Sequence, residues 1–268
     1  MLFRSIQNVS EETFNRAGWQ RWLPPGPQPA FLTNLSAIHA QRAYLLRSTN
    51  TAPVVWTVTG RPALRRPAWV PDAWNLRGFP VDPAGPPTFL GFFRSSPAHF
   101  RAATGQLQPM HRLNPATSRW EPVGPGDPVL PGQAYWVFTQ GASDYLAPLD
   151  VRTELGDGLD FGLELTALNL RLRNLRPTAG TALLGGGTNF LSRYVFDPAL
   201  GGQWPPLPPT LPLPLGAGEE RRLRLAVRRQ DLPGEVHEAV LEIRDGAGTR
   251  LRVPVSAERF VPAGAPRP

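Results

Sequence analysis

The chain has 268 residues, a formal net charge of +7 and no cysteine, which excludes disulfides, cysteine-ligated zinc and thiol catalysis. Its 33 prolines and 26 glycines favour many short strands joined by turns over long helices. All 28 basic residues are arginine. The sequence before Asp150 contains 13 of these arginines and only 7 acidic residues. Because these arginines are scattered along the sequence, we do not expect a nucleic-acid partner.

Two short segments near the N-terminus recur later in the chain. Residues 21–24, RWLP, match residues 119–122, RWEP, and residues 43–46, AYLL, match residues 134–137, AYWV. A recurrence of this kind indicates two copies of one supersecondary unit. We therefore predict a β-rich module at residues 1–149, with a partial unit at 1–48 and a fuller unit at 54–149.

The elements of this module follow in chain order. The sequence WNLRGFPV predicts a strand at 73–81, and Thr88 is placed to cap a short helix that carries Phe89, Leu90, Phe92 and Phe93. Ser96-Pro97 predicts a second helix start, because proline fits the first helical position. Further strands are predicted at 41–48, 54–59, 106–112, 119–123 and 130–140.

The order WNLRGFPVD, short Phe-rich helix, SRWEPV and LPGQAYWVF resembles a module that is common in large secreted and surface proteins of bacteria. The resemblance covers residues 54–149 well and residues 1–48 in part. It rests on structural residues, so it implies no catalytic site. Members of that family are mostly linked to surface anchoring.

The second half of the sequence alternates apolar and polar residues with the period of half-buried strands. Four such runs lie near residues 168–172, 223–227, 237–243 and 251–255. They are separated by the turns LPG at 232–234 and DGAG at 245–248. Amphipathic strands at this spacing predict an immunoglobulin-like β-sandwich at residues 150–260, followed by a disordered tail at 261–268. The predicted fold class is therefore all-β with minor helix, a duplicated β-rich module plus this sandwich.

The sandwich sequence resembles a bacterial immunoglobulin-like domain of the BACON type. The resemblance rests on GEE at 218–220, DLPGE at 231–235, DGAG at 245–248 and a final strand that ends in VPV. It covers about residues 159–257 and is interrupted by a Gly- and Pro-rich excursion at 185–214. The resemblance implies a carbohydrate-binding or spacer role, and no binding residue is carried over from it.

No catalytic or metal-binding pattern is present in the sequence. The four histidines are not at metal-ligand spacing, and we interpret His237 as an inward-facing core residue. For Asp157, Asp160 and Glu164 a solvated loop is favoured over a calcium site. We therefore expect no enzyme activity, no cofactor and no metal.

Aromatic residues in loops are the remaining candidates for a binding site. Trp204 and Trp69 lie in Pro-rich loops, and Trp19 lies in the N-terminal unit. Exposed tryptophans of this kind stack on sugars or anchor protein partners. We expect these three residues to bind ligand. Trp74, Trp120 and Trp136 belong to the repeat pattern, and we expect them in the core.

Two functional hypotheses follow. The first is a non-catalytic binding, adhesion or structural module of a bacterial surface or secreted protein that recognises glycan or protein. The alternative is an intracellular interaction subunit of a multiprotein assembly. The resemblances favour the first hypothesis, whereas the lack of an apolar signal segment in the first 14 residues favours the second if Met1 is the natural start. The compartment stays open, no membrane insertion is expected, and self-association through sheet edges is a further expectation.

Overall fold

The structure is a computed structural model that describes residues 57–259 without interruption, together with Leu35, Ile38, Ala43, Tyr44 and Val55. The first repeat unit, Trp19 and the tail at 261–268 lie outside the described residues, apart from those five positions. The strands predicted at 41–48 and 54–59 are wrong for the residues described there, since none of them is in a strand.

The N-terminal part of the described chain forms a four-stranded antiparallel sheet in the order β1-β6-β4-β5. A separate two-stranded hairpin, β2–β3, lies between helix α1 and β4. The strands predicted at 73–81, 119–123 and 130–140 are confirmed with shorter bounds, whereas the strand predicted at 106–112 is two strands of different sheets, β3 and β4. The elements are β1 Ala73–Gly78, α1 Phe89–Phe93, β2 Phe100–Arg101, β3 Gln106–Leu107, β4 Met110–Asn114, β5 Arg119–Pro122 and β6 Ala134–Thr139.

Helix α1 closes one side of this part of the chain. As predicted, the hydroxyl of Thr88 caps the helix and accepts a hydrogen bond from the Gly91 backbone N–H at 3.1 Å. Phe89 packs edge-on against Tyr135, with 4.9 Å between ring centroids, inside a buried apolar cluster. The second helix predicted at Ser96-Pro97 is wrong. The chain makes a single turn there, because Ser96 bonds the His99 ring and the backbone enters β2 directly.

The C-terminal part of the described chain is a sandwich of two sheets around one apolar core. One sheet has the order β14-β10-β16-β17-β8, and the other has the order β11-β15-β9-β7. This arrangement confirms an all-β fold with minor helix and an immunoglobulin-like sandwich. The strands are β7 Leu149–Thr153, β8 Leu159–Asp160, β9 Ala167–Asn174, β10 Gly180–Gly185, β11 Leu191–Arg193, β12 Val195–Asp197, β13 Gly201–Gln203, β14 Thr210–Leu215, β15 Glu220–Val227, β16 Val236–Asp245 and β17 Arg250–Glu258.

The alternation predicted from the sequence is confirmed in β9, whereas in β17 all residues from Val253 to Ala257 are buried. Leu168, Leu170 and Leu172 of β9 are buried, and the residues between them face outwards. His237 packs edge-on against Phe190 at 4.9 Å, but it is only half-buried rather than a full core residue. Its position near the start of β16 explains the exposure, because Val236 beside it is solvent-exposed.

The turn between β16 and β17 packs directly against the N-terminal part of the described chain. The Asp82 backbone N–H donates to Gly248 O at 2.8 Å, and the Arg250 N–H donates to Pro80 O at 3.1 Å. Gly248 has a φ of +87°, and a Cβ there would lie 2.4 Å from Gly85 O. Only glycine fits this contact without a backbone shift. Leu146 packs against both apolar cores, so the domain boundary at 149–150 stays a prediction.

No helix in the described part of the chain has the length and apolar character needed to span a bilayer.

Candidate binding site on the sandwich

The outer face of the β11-β15-β9-β7 sheet contains a groove whose floor is made of small residues. Ser192, Ala226 and Ala167 lie in register across β11, β15 and β9. Because three neighbouring strands carry small side chains in one row, the sheet surface is lowered there. The resulting open groove has a volume of about 380 Å³ and is also lined by Trp204, Arg224, Arg228 and Gln230.

Trp204 is positioned beside this groove by the segment that follows it. The Arg193 backbone N–H donates to Pro205 O at 3.0 Å, so residues 205–207 run along the edge of β11. The Trp204 ring contacts Tyr194 edge-on at 5.2 Å and carries the Arg224 guanidinium 5.7 Å from its centroid. The side chain is still 40% exposed. Trp204 is therefore an ordered surface aromatic, as predicted from its Pro-rich loop, and its role in binding stays a prediction.

The β12–β13 hairpin extends this surface with further apolar side chains. Phe196 is 66% exposed and Leu200 is 71% exposed. The Asp197 carboxylate holds the turn by accepting hydrogen bonds from the Ala199 and Leu200 backbone N–H groups. We call Tyr194, Phe196, Leu200 and Trp204 the hairpin surface. Large apolar side chains fixed on an ordered hairpin are typical of contact residues.

The same sheet face is positively charged next to the groove. Arg152, Arg171 and Arg222 lie directly opposite one another across β7, β9 and β15. Arg152 pairs with Asp150 at 3.0 Å and Arg171 pairs with Glu220 at 3.4 Å, whereas Arg222 has no ion pair within the described chain. Like charges at directly opposed positions destabilise a sheet. Because carboxylates neutralise Arg152 and Arg171, the uncompensated charge of this row within the described chain is that of Arg222.

One polar group of the groove floor is buried and lacks a partner. The Ser192 side chain is 2% exposed, and its hydroxyl makes no hydrogen bond to another described residue. A buried hydroxyl without a partner costs free energy of about 1–3 kcal/mol.

The prediction that Trp69 is a surface binding residue is wrong. Its side chain is 7% exposed, its indole N–H donates to Tyr145 O at 2.8 Å, and its ring lies 4.4 Å from that of His99. The Pro-rich loop that carries it is held against the sheet by Asn75, whose side chain bonds both the N–H and the C=O of Val70. Trp19 lies outside the described residues.

The structure also differs from the expectation that all three tryptophans of the repeat pattern lie in the core. Trp136 is buried, but Trp120 is half-buried and Trp74 is 39% exposed. These residues lie on the outer face of their sheet and therefore outside the core that α1 covers.

Sequence reasoning missed Tyr194, Phe196, Leu200 and Arg224 as site residues. The available signal was the turn composition Asp-Pro-Ala-Leu-Gly-Gly at 197–202, which is typical of a hairpin loop between two short strands. Gly202 confirms this local requirement, because a Cβ there would lie 2.7 Å from the Tyr194 ring.

The described part of the chain contains no group of three or more His, Asp or Glu side chains arranged to hold a metal ion.

No family model matches the sequence, and no curated protein matches it. Among solved structures, the complex of the chaperone CsuC with the tip adhesion subunit CsuE of Acinetobacter baumannii Csu pili is 17% identical with a TM-score of 0.28, over 41% of this chain and 51% of that one. The chain thus spans about half the length of that protein.

Two other similar structures are matched over most of their own length. The PapD-like domain 7 of human CEP192 is 12% identical with a TM-score of 0.26, over 42% of this chain and 85% of that one. A FixG-related protein from Vibrio parahaemolyticus is 12% identical with a TM-score of 0.27, over 42% and 98%. With TM-scores this low, the similarities carry no argument about function.

Proposed function

We propose that the chain is a non-catalytic protein-binding module that holds a partner segment with apolar and acidic side chains on the hairpin surface. The observation that carries this proposal is the set of exposed apolar side chains on the β12–β13 hairpin, near arginines that form no ion pair with another described residue. The resemblances to a bacterial surface module and to a BACON-like domain support a place in a surface or secreted protein. An interaction subunit inside the cell is the alternative setting.

The physical basis is the free energy that exposed apolar groups gain when they leave water. Burying a Phe or Leu side chain contributes about 1.5–3 kcal/mol, so Phe196 and Leu200 are suited to anchor a partner. Arg222 and Arg224 raise the positive potential beside them, which attracts acidic residues and speeds association at low salt. The apolar residues would supply the affinity and the arginines the preference for an acidic partner.

Carbohydrate binding is a second candidate, favoured by the groove itself. Trp204 offers an aromatic surface beside Gln230 and Arg228, which also line the groove. Aromatic rings with nearby hydrogen-bonding groups are the usual components of a sugar site. In this case the ligand would occupy the groove and leave the hairpin tip free.

Affinity capture with the intact 268-residue chain tests the proposal. The bait is incubated with cell lysate and with envelope extract of the source organism, at low and high salt. The double variant Phe196→Ser/Leu200→Ser is compared with the control Val236→Ser, which replaces an apolar residue that is 63% exposed on β16. We expect one protein to be captured by the wild-type chain and by the control, and lost by the double variant.

The two candidate functions give different results in this experiment. Retention of polysaccharide that is lost in Trp204→Ala and kept in the double variant would establish carbohydrate binding instead. Equal capture of the same protein by wild-type chain and double variant would show that the hairpin surface is not the binding site.

A further inference from the structure

The four-stranded sheet of the N-terminal part has a second face that carries mostly aromatic and apolar residues. The register places Leu76, Trp136 and His111 in one row across β1, β6 and β4, with Trp74 opposite Phe138 and Leu113 opposite Trp120 in the neighbouring rows. We call these seven residues the aromatic face. Helix α1 and its cluster cover the other face, through Val137, Tyr135 and Met110.

The side chains of the aromatic face form a connected layer. Trp74 contacts His111 at 5.2 Å and Phe138 at 5.7 Å, while Trp120 contacts Trp136 edge-on at 6.0 Å. None of these residues belongs to either of the two apolar cores formed by described residues. The outer face of an antiparallel sheet is normally polar when it contacts water. The composition of this face is therefore that of a covered surface.

A polar group on the same face supports this interpretation. The indole N–H of Trp120 is buried and has no acceptor among the described residues. Buried N–H groups in native proteins are almost always paired. Whatever covers the face is expected to bring a carbonyl or another acceptor to this position.

We propose that the aromatic face is the docking surface for residues 1–56 of the same chain. This segment carries a second copy of the motifs that build the face, since Trp22 corresponds to Trp120 and Leu45 to Trp136. A second copy of the unit would present an equivalent face, and the two faces would bury each other as paired repeats do.

A long connection joins Tyr44 to the part of the chain that the structure describes without interruption. Arg61 is held at the sandwich, where its guanidinium donates to Ser256 Oγ at 3.2 Å. The 17 residues from Tyr44 to Arg61 span up to about 55 Å when extended, at roughly 3.3 Å per residue. Val55, within this stretch, is 92% exposed, in keeping with a connection that runs through solvent.

Site-specific photo-crosslinking in the full-length chain tests the proposal. A photoreactive leucine analogue replaces Leu76 in one sample and Leu113 in a second, so that each probe preserves the shape of a half-buried leucine. Leu183, which is exposed on β10 of the sandwich, provides the control position. Isotopically heavy and light chains are mixed before illumination, because mixed-isotope products then reveal contacts between two copies.

We expect probes at positions 76 and 113 to form products within one chain that join them to residues 1–56, and the probe at 183 to form none. The variant Trp22→Ser should remove most of this yield. Mixed-isotope products as the main species would assign the face to a second copy and overturn the proposal. If the probes at 76 and 113 were quenched by water and gave no crosslinked product, the face would be uncovered, and the proposal would be overturned as well.

Discussion

His99 provides a prediction whose magnitude follows from the structure. The side chain is fully buried, with its ring 5.2 Å from that of Phe93, and its two ring nitrogens bond Ser96 Oγ at 2.7 Å and Thr139 Oγ1 at 3.2 Å. Burial lowers the pKa of His99 from 6.5 to about 4. The neutral imidazole is therefore the form that the folded protein accommodates.

The direction of the pH effect follows from this lowered pKa. Between pH 6.5 and about pH 4 the unfolded chain binds a proton at His99 that the folded chain excludes, so stability falls as the pH falls through this window. The stability that the neutral His99 side chain contributes to the folded protein is fully present above pH 6.5. From pH 7 to pH 5 the free energy of unfolding should drop by about 2 kcal/mol through His99 alone.

Urea denaturation from pH 7.5 to 4.5 measures this effect. The variant His99→Gln keeps a hydrogen-bonding side chain that does not ionise. The free energy of unfolding of the variant should therefore depend less on pH than that of the wild type, by the contribution of His99. The difference between wild type and variant removes the contribution of His111, whose pKa is also lowered by burial. A difference that stays constant from pH 7 to pH 5 would refute a buried neutral His99.

Three further predictions concern packing and charge. Gly248→Ala should destabilise the protein by more than 1 kcal/mol in thermal denaturation, because φ is positive and Gly85 O lies in the way, whereas Gly246→Ala, with nothing within 4 Å, should have little effect. Leu170→Ala removes a fully buried side chain and should cost about 2–5 kcal/mol in urea denaturation, and a smaller cost would show a looser core. Arg222→Gln should weaken the binding of a captured partner more at low salt than at high salt, and an equal effect at both would contradict an electrostatic role.

The elements that follow local rules could be predicted from the sequence. The N-cap Thr88 and the phenylalanines that follow it in the sequence define the five-residue helix α1. The strands of the sandwich follow from strict alternation, because one face of each strand enters the core and the other meets water. Leu168, Leu170 and Leu172 show this most clearly, since all three are buried in β9 and the residues between them face outwards.

The candidate site was only partly predictable, since exposure in loops depends on distant contacts. Trp69 and Trp204 both lie in Pro-rich sequence, but Trp69 is buried by Tyr145 and His99, which lie 76 and 30 residues away in the chain. Trp204 stays accessible because residues 205–207 bind the edge of β11. The hairpin that carries Phe196 and Leu200 pairs only three residues per strand, which leaves too short a pattern for periodicity to reveal.

The affinity of the captured protein for the hairpin surface tests the central claim most directly. Titration compares the wild-type chain, Phe196→Ser/Leu200→Ser and the control Val236→Ser. Two apolar anchors worth about 1–2 kcal/mol each predict a Kd at least about tenfold weaker for the double variant and an unchanged Kd for the control. The same Kd for all three chains would contradict the assignment of this surface as the binding site.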